Sequence, residues 1–414
     1  MIAPKLRFSE FKSEWFKQKI GDFIINHVGG ASFTPNDFVK ESNFEVIPKK
    51  AIMSGGKLIL DKENPTFSSE DFYQNNLKNT IDKSYLVTTL RDLVPSGPSI
   101  GYIVSFDDDK KYILAQGVYG FRIKDDLNRN FLIQFSNTSK FRTIMQSKMV
   151  GSTQVHIRNQ DYFDTEIYKP CLEEQTKIAE FLSAVDDKIS QLSQQLELLN
   201  QYKKGVMQKI FSQEIRFKND NGEDFGEWDE KELNEIFDFS RGEPLSKNDL
   251  DEQGQYDCIH YGELFTKYNE VANRIYSKTN KKANKIGKKG YILMPSSDVT
   301  PDGLARATCL NKDEVYLGGD INVLKPKTEI NSIFFSYLIN SDKSRLLTCV
   351  TGTTVKHIYN KDICGLIYNF PSSIQEQEKI AGFLTAIDER IDHTTAQLTH
   401  TKQWKKGLLQ QMFV

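Results

Sequence analysis

The chain has 414 residues, a length that favours two or more domains, because a typical domain has about 100–200 residues. Its 27 phenylalanines and 17 tyrosines exclude a disordered chain, and its apolar runs are far shorter than the ~20 residues of a membrane-spanning helix. The net charge of −2 argues against a protein that holds DNA by charge alone. Five scattered cysteines without a Cys-x-x-Cys pair indicate a reducing compartment and predict a cytoplasmic protein.

Near the start of the first half of the chain, Glu14-Trp15 is followed by the short apolar segment from Ile20 to Phe23. A long region over 24–150 comes next and is rich in glycine, aromatic and β-branched residues. Its pattern predicts two strands and one helical segment, at 100–104, 112–114 and 131–148. The region therefore reads as an α/β domain with mixed or antiparallel strands.

A long helix is predicted from about Glu173 to Phe211, just after Pro170, which a helix start tolerates. Its apolar positions recur at spacings of three and four, as in a heptad seam: Leu182, Val185, Ile189, Leu192, Leu196 and Leu199. Such a helix would be about 55 Å long. Two interpretations are open, a helical hairpin inside one core and a rod with a domain at either end. The length favours the rod, since the mean helix has about 11–12 residues.

The second half follows the same order, with Glu227-Trp228, a variable region over about 238–350, a loop from Gly352 and a final helix. Two strands and one helical segment are predicted, at 290–294, 321–324 and 331–347. The final helix has a weaker seam, consisting of Leu384, Ile387, Ile391, Thr394, Leu398 and Thr401. The two threonines in this seam suggest a partner nearby rather than an independent coil.

One stretch of the second half, residues 267–289, is strongly basic and has Glu270 as its only acidic residue. A solvated loop is the ordinary explanation of such a run. Tyr268 and Tyr276 lie between the basic residues, and this interleaving also suggests phosphate contacts. Both interpretations stay open at the level of sequence.

The flanks of the two variable regions are copies of each other. Residues 174–211 match 376–413 without a gap, and roughly half of the positions are identical. The loops at 151–161 and 352–362 also match, whereas the variable regions barely resemble one another. Collinear matches of this kind indicate a duplicated chain.

Motifs of enzymes are missing from the sequence. It has no Gly-x-x-x-x-Gly-Lys-Ser/Thr loop, no Gly-x-Gly-x-x-Gly and no Asn/Asp-Pro-Pro-Tyr/Phe tetrapeptide. The Asp-x-Lys triplets at 108–110 and 229–231 are expected in solvated turns rather than in metal sites. These observations disfavour a self-contained methyltransferase or nuclease.

Three features together resemble the specificity (S) subunits of type I restriction–modification systems. They are the doubled Glu-Gln-x-Lys-Ile-Ala-x-Phe-Leu-x-Ala helix start, the Gly-Thr-Thr loop before it, and the segment from Tyr261 to Tyr268. The first half has no clear counterpart of that segment. The resemblance implies an α/β (α+β) fold in which two target-recognition domains are joined by two long antiparallel coiled-coil helices, with a pseudo-twofold internal repeat.

The resemblance also implies domain boundaries: a first recognition domain at 1–172, a central spacer helix at 173–212, a second recognition domain at 213–373 and a second spacer helix at 374–414. The two domains would read the halves of a split site in double-stranded DNA. Two methyltransferase (M) subunits would dock on the helices, and restriction/translocase (R) subunits would join for cleavage. S-adenosylmethionine is expected on the M subunit, ATP and Mg²⁺ on the R subunit, and no cofactor, metal or catalytic residue in this chain.

Candidate DNA contacts are polar side chains of the kinds that meet base edges or phosphates. Those of the first half are Thr88, Thr89, Arg91, Gln116, Tyr119, Arg122, Thr153 and His156. Those of the second half are His260, Tyr261, Arg274, Lys278, Lys281, Lys282, Ser296, Ser297, Arg306, Thr354 and His357. For each of them a role in the fold is an open alternative. A duplicated protein-interaction scaffold without a DNA role is the alternative function.

Overall fold

The computed structural model describes residues 2–282 and 284–414. The chain divides into two compact units: unit 1 comprises Met1–Gln194 and Thr395–Val414, and unit 2 comprises Gln195–Thr394. Both long helices are divided near their middle, so that each unit contains one half of each helix. The predicted boundaries after residues 172, 212 and 373 stay a prediction.

Unit 1 is a mixed structure of short strands and helices. Its strands are β1 (Phe16–Lys19), β2 (Ile24–Gly29), β3 (Phe38–Val39), β4 (Val46–Ile47), β5 (Phe67–Ser68), β6 (Thr80–Ile81), β7 (Leu86–Thr89), β8 (Arg91–Asp92), β9 (Ile103–Val104), β10 (Tyr112–Leu114), β11 (Val118–Ile123), β12 (Val155–His156) and β13 (Glu166–Lys169). Its helices are α1 (Glu70–Asn75), α2 (Arg129–Ser136), α3 (Ser139–Lys148), α4 (Asn159–Phe163) and the first half of α5 (Leu172–Phe211).

Unit 2 repeats this composition. Its strands are β14 (Trp228–Glu232), β15 (Phe237–Arg241), β16 (Tyr256–Ile259), β17 (Val271–Ala272), β18 (Ser277–Thr279), β19 (Ile286–Gly287), β20 (Ile292–Pro295), β21 (Ser297–Asp298), β22 (Thr308–Leu310), β23 (Val315–Leu317), β24 (Ile321–Pro326), β25 (Lys356–His357) and β26 (Ile367–Pro371). Its helices are α6 (Leu233–Ile236), α7 (Glu263–Thr266), α8 (Pro301–Leu304), α9 (Ser332–Ser341), α10 (Lys343–Leu347), α11 (Asn360–Ile363) and the first half of α12 (Ile374–Met412).

Two sheets form the centre of each unit, and they have equivalent strands. Unit 1 has the orders β2-β11-β7-β9 and β4-β10-β6, and unit 2 has β15-β24-β20-β22-β17 and β18-β16-β23-β19. A glycine lies where the chain leaves the first strand of each larger sheet. A Cβ on Gly30 would lie 1.8 Å from the Ala115 carbonyl oxygen, and a Cβ on Gly242 would lie 2.0 Å from that of Gly318. Only glycine permits so close a backbone approach.

The predicted elements are present, with differences at their ends. The strand predicted at 100–104 is limited to β9, because Gly101 has a φ of +82° that no extended strand adopts. The strand predicted at 290–294 begins at Ile292 for the same reason, since Gly290 has a φ of +87°. The helical segment at 131–148 is two helices, because the Thr138 hydroxyl accepts the Phe141 N–H and starts α3 anew.

One expectation about the charged triplets is wrong. Residues 229–231 were expected in a solvated turn, but they lie on β14, which pairs antiparallel with β26. The exposed charges of Asp229 and Lys231 form an ion pair on this strand. The triplet at 108–110 does lie outside the strands and helices, between β9 and β10.

The doubled Glu-Gln motif at the start of each long helix is a structural clamp. In unit 1, the Glu174 carboxylate is buried and accepts hydrogen bonds from the Arg7 guanidinium and the Trp15 indole. In unit 2, Glu376 accepts the same bonds from Arg216 and Trp228. The clamp explains why each half of the sequence has a tryptophan before its variable region.

The glutamine of the motif forms a second, separate set of hydrogen bonds. The Gln175 amide donates to the Pro170 carbonyl, and its oxygen accepts the N–H of Asn128, the residue that caps α2. Gln377 makes the equivalent bonds to Pro371 and Asn331 in unit 2. The buried amide therefore fixes the start of the long helix to the start of α2 in unit 1 and of α9 in unit 2, and its oxygen and its N–H group are both hydrogen-bonded.

An ion pair joins the two long helices within each unit. In unit 1 the Lys405 ammonium binds the Asp186 carboxylate, and in unit 2 Lys203 binds Asp388 at 2.7 Å. The earlier of the two α5 residues, Asp186, pairs with the later α12 residue, and the later α5 residue, Lys203, pairs with the earlier one, so the two helices are antiparallel. The predicted fold class is therefore confirmed, with mixed α/β halves, two long antiparallel helices and an internal repeat. The seam residue Thr394 is buried, and its hydroxyl donates to the Arg390 carbonyl.

The cluster in unit 2 contains a third charge. Burial lowers the pKa of Lys203, but Glu270 and Asp388 outweigh this effect and raise the pKa above its usual value. Burial raises the pKa of Asp388 despite the neighbouring ammonium. Tyr337 donates its hydroxyl to Asp388. Lys203 is therefore the group that holds two partly buried carboxylates together at neutral pH.

Candidate nucleic-acid interface

A concave surface of unit 1, which we call cleft 1, has a volume of about 370 Å³. It lies where β8 and β12 pair, beside the loop between β10 and β11. The residues that line it are Lys49, Arg91, Asp92, Leu93, Gln116, Gln154, Val155 and His156. Two cations, two amides and an imidazole therefore face one small space, a set that suits hydrogen bonding to phosphates and base edges.

A second concave surface, cleft 2, lies in unit 2 and has a volume of about 690 Å³. The residues that line it are Arg241, Gly242, Pro244, Leu245, Ser246, Lys247, His260, Tyr261, Gly319 and Asp320. A smaller pocket of about 190 Å³ shares Pro244 and Leu245 with this cleft and includes Lys281 and Lys282. Part of the basic stretch therefore lies next to cleft 2.

The two clefts overlap at equivalent places in the repeat, although most of their lining comes from different segments. Ala115 donates its N–H to the Ile47 carbonyl in unit 1, and Gly318 donates its N–H to the Ile259 carbonyl in unit 2. Lys49 follows Ile47 by two residues and lines cleft 1; Tyr261 follows Ile259 by two residues and lines cleft 2. The clefts therefore share this part of the scaffold, whereas the strand pair β8/β12 beside cleft 1 has its counterpart in β21/β25, whose residues do not line cleft 2.

Short strand pairs hold the two repeated histidines. His156 lies opposite Arg91 in the pair of β12 and β8, and both side chains are exposed. His357 lies opposite Ser297 in the pair of β25 and β21, where the Ser297 hydroxyl is 3.0 Å from the imidazole Nδ1. Both histidines therefore lie on equivalent two-stranded sheets, separate from the central sheets of their units.

His260 has a defined hydrogen-bonding state in cleft 2. Burial lowers its pKa below the usual value, although Glu263 opposes this effect, so the ring is neutral at pH 7. Its Nδ1 accepts the Gly262 N–H at 3.2 Å. Nε2 therefore carries the proton, and the ring offers a donor.

The structure argues against direct DNA contacts by three of the predicted residues. Thr88 and Thr89 are buried, because β7 lies between β11 and β9 in the middle of its sheet. The Thr89 hydroxyl donates to the Gly117 carbonyl at 2.9 Å. Ser296 is also buried, and its hydroxyl accepts a bond from Arg241. These side chains support the fold around the clefts.

The other predicted residues divide between the clefts and the surface around them. Arg91, Gln116 and His156 line cleft 1, and His260 and Tyr261 line cleft 2. Half-buried or exposed outside these linings are Tyr119, Arg122, Thr153, Arg274, Lys278, Ser297, Arg306, Thr354 and His357. Arg306 donates to the Leu264 carbonyl at 2.6 Å, which gives this guanidinium a role in the fold.

Several lining residues were missed by the sequence prediction, above all Lys49, Gln154, Arg241, Lys247 and Asp320. For Arg241, the sequence contains a signal that could have identified it. It precedes Gly242, the copy of Gly30, and these two glycines mark the same close approach in both units. The other four residues carry no comparable mark in the sequence.

Two further tests concern the part of the chain that the structure describes. No group of three or more His, Cys, Asp or Glu side chains there is placed to hold a metal ion. No helix among these residues combines the length and apolar character that crossing a bilayer demands.

The repeat matches a family model described as the type I restriction modification DNA specificity domain, once at residues 12–201 and again at 226–401. The chain belongs to this family. The family that the doubled helix motif predicted is therefore confirmed. Each matched region includes one cleft and most of one long helix.

Named type I specificity subunits are similar to this chain over part or most of its length. The type I restriction enzyme MjaVIII specificity subunit of Methanocaldococcus jannaschii is 24% identical over 314 residues, which cover 72% of this chain and 73% of that protein. A putative type I specificity subunit of Mycoplasma pneumoniae is 28% identical over 167 residues, 40% of each chain.

A solved structure shows the same fold. The crystal structure of a type I restriction–modification S subunit from M. genitalium matches with a TM-score of 0.64 over 100% of this chain and 99% of that one, at 17% identity. A chain from a structural study of type I complex assembly and conformational transition matches with a TM-score of 0.53 over 97% of both chains, at 14% identity. At these identities the likeness concerns the type I specificity fold alone.

Proposed function

We propose that this chain is the DNA-reading subunit of a type I restriction–modification complex and that cleft 1 and cleft 2 each read one half of a split site in double-stranded DNA. One observation carries the proposal: two units built on equivalent central sheets each present a polar cleft, and the side chains that line the two clefts differ. A protein that reads two different short sequences needs this combination.

The chemistry of the clefts suits this role. Arginine reads guanine and glutamine reads adenine through paired hydrogen bonds, each worth about 1–3 kcal/mol of discrimination. Cleft 1 offers Arg91, Gln116 and Gln154, and cleft 2 offers Arg241 and the neutral donor of His260. Lys49 and Lys247 at the two clefts are suited to phosphates.

The remaining functions belong to partner subunits in this proposal. Two methyltransferase subunits dock on the chain, bind S-adenosylmethionine and supply phosphate contacts, which accommodates the net charge of −2. Restriction/translocase subunits bind ATP and Mg²⁺. The chain itself performs no chemistry, and the two long helices set the gap between the half-sites. Measurable binding of S-adenosylmethionine by the isolated chain in calorimetry would contradict this division of labour.

A domain exchange tests the reading function. Residues 24–150 are replaced by the matching region of a related specificity subunit, and DNA methylation is sequenced in cells that carry the complete system. We expect one half of the methylated motif to change and the other half to stay the same. A change in both halves would refute the assignment of one half-site to each unit. Methylation that does not depend on the chain would favour a protein-interaction scaffold without a DNA role.

A further inference from the structure

The arginines of the two clefts occupy different positions of the repeat. In unit 1, Arg91 lines cleft 1 and lies opposite His156 in the pair of β8 and β12. In unit 2, the repeated histidine, His357, lies opposite Ser297 in the pair of β21 and β25. A serine therefore stands in unit 2 at the position where unit 1 has its arginine.

The arginine of cleft 2 lies at a second position of the repeat. Arg241 is the last residue of β15 and directly precedes Gly242, the counterpart of Gly30. Its counterpart in unit 1 is therefore Gly29, the last residue of β2. In unit 1, β2 and β7 pair with opposite edges of β11, so the two arginine positions are about two strand spacings, or 10 Å, apart on the sheet.

This relocation distinguishes the arginines from the repeated histidines, which keep their positions. A phosphate contact is common to all DNA sequences, so two readers of different half-sites can retain the same residue for it. A base contact depends on the sequence that is read, so its side chain differs between the two readers. The exchange of arginine for serine at one position, and of glycine for arginine at the other, therefore favours base contacts.

The Arg241 guanidinium is held in place by its own unit. Nη2 donates to the buried Ser296 hydroxyl at 3.0 Å and lies 3.5 Å from the Asp320 carboxylate. The side chain is nevertheless 47% exposed, and Nε and Nη1 donate no hydrogen bond to the described residues. A fixed guanidinium with available N–H groups can bind a ligand at a small cost in side-chain entropy.

Arg91 is available to a ligand in a different way. Its side chain is exposed, and its stem lies over Gly117, because a Cβ on this glycine would lie 3.2 Å from the Arg91 Cβ and 3.4 Å from its Cδ. The acidic residue of the same cleft, Asp92, is already bonded to the Ser99 hydroxyl and the Val94 N–H. That carboxylate therefore does not neutralise the guanidinium.

We propose that Arg91 and Arg241 are specificity-determining residues that each bond a guanine, so that each half-site contains one G·C pair read by an arginine. Guanine presents two neighbouring acceptors, O6 and N7, in the major groove, and the parallel N–H groups of one guanidinium match both. Adenine presents an acceptor beside a donor and does not match them. The inference rests on the proposed function, and it adds the base that two named residues read.

The test uses the assembled complex of this chain with the methyltransferase subunits of its system, after methylation sequencing has given the recognition motif. Each guanine of the motif is replaced in turn by 7-deazaguanine, which keeps the base pairing but has a C–H group in place of N7. We expect one such replacement in each half-site to weaken binding of the wild-type complex at least about tenfold, as for the loss of a hydrogen bond to a charged group.

Arg91→Gln and Arg241→Gln identify the residue behind each effect. Arg91→Gln should bind the modified and the unmodified DNA equally at the guanine of one half-site and stay sensitive at the guanine of the other half-site. Arg241→Gln should show the reverse. Continued discrimination at the remaining positions of the affected half-site shows that the altered unit is folded.

Lys49→Gln and Lys247→Gln are the matched controls. They remove the same charge from the same two clefts, at residues that we assign to phosphates. Both should weaken binding by a similar factor on all sequences, and both should keep the sensitivity to 7-deazaguanine.

Three outcomes would contradict the inference in different ways. A half-site without a G·C pair, or sensitivity to 7-deazaguanine that persists in both arginine variants, would refute the guanine contacts and leave the proposed function intact. Uniform weakening on all sequences by an arginine variant would reassign that arginine to a phosphate. A wild-type complex that does not distinguish its motif from random DNA would refute the proposed function together with the inference.

Discussion

The Arg7 guanidinium and the Glu174 carboxylate form a two-point ion pair, at 2.7 Å from Nε to Oε1 and 2.7 Å from Nη2 to Oε2. The two residues are 167 positions apart in the chain, and the Glu174 side chain is fully buried. Arg216 and Glu376 repeat the pair in unit 2. Each unit is therefore closed by a bond between the segment before its first strand and the start of a long helix.

Glu174→Gln should destabilise unit 1. The change leaves the Arg7 guanidinium without its buried counter-charge, and breaking a buried pair in this way costs about 3–5 kcal/mol. Urea unfolding followed by circular dichroism measures the loss. Glu180→Gln makes the same chemical change at an exposed position of α5 and should leave the unfolding midpoint unchanged. Equal midpoints for Glu174→Gln and the wild type would show that the clamp contributes nothing to stability.

The lowered pKa of His260 predicts a dependence of stability on pH. A histidine whose folded pKa lies below the unfolded value of 6.5 binds more protons when the chain unfolds. Stability contributed by the neutral ring is therefore present above pH 6.5 and is lost as the pH falls towards the folded pKa. His260→Asn keeps an acceptor for the Gly262 N–H but does not titrate. The variant should lose less stability than the wild type between pH 7.5 and 5.5 in thermal unfolding, and identical losses would refute the prediction.

Arg91→Ala and Arg241→Ala should each affect one half-site. If the arginine reads a base, the variant loses about 1–3 kcal/mol of discrimination at one position of its half-site and keeps the rest. Competition binding of the assembled methyltransferase complex to DNA with single substitutions measures this change. Weakening that is uniform over all sequences would reassign the arginine to a phosphate, and an effect on the other half-site would contradict the pairing of clefts and half-sites.

Alanine replacement of the four lysines Lys281, Lys282, Lys288 and Lys289 should weaken DNA binding by a similar factor on all sequences. The log–log salt slope should flatten by about 0.9 for each phosphate that the variant no longer neutralises. Lys281 is already engaged by Asp249 and the Pro244 carbonyl, so we expect it to contribute less than the others. Lys231→Ala, on β14 beside Asp229, is the control. An unchanged slope would mean that the stretch is a solvated loop.

The sequence predicted the duplication and the long helices because both are encoded locally. The heptad spacing that begins at Leu182 needs no distant partner to be recognised, and the helix observed from Leu172 to Phe211 agrees with it to within a residue. The Glu-Gln motif was recognisable for the same reason. Its clamp on Arg7 was not, because an ion pair across 167 residues leaves no periodic trace in the chain.

The positions of the candidate DNA contacts also depend on long-range packing that the local sequence does not show. Thr88 and Thr89 follow each other on β7, and alternation predicts that one of them faces outward. Both are buried, because the sheet is covered on both faces, and the sequence of one strand does not reveal what covers it. Cleft 1 likewise combines Lys49, Arg91 and His156 from distant segments.

By itself, the sequence determined that the chain is duplicated, with a repeated frame and two unlike inserts, because repeats and helical periods are encoded in neighbouring residues. The tertiary structure alone decided which polar side chains meet in a cleft and which support it from inside. The register of β12 against β8 brings His156 opposite Arg91, 65 positions earlier in the chain. Such pairings depend on long-range packing of the whole unit, which no local pattern specifies.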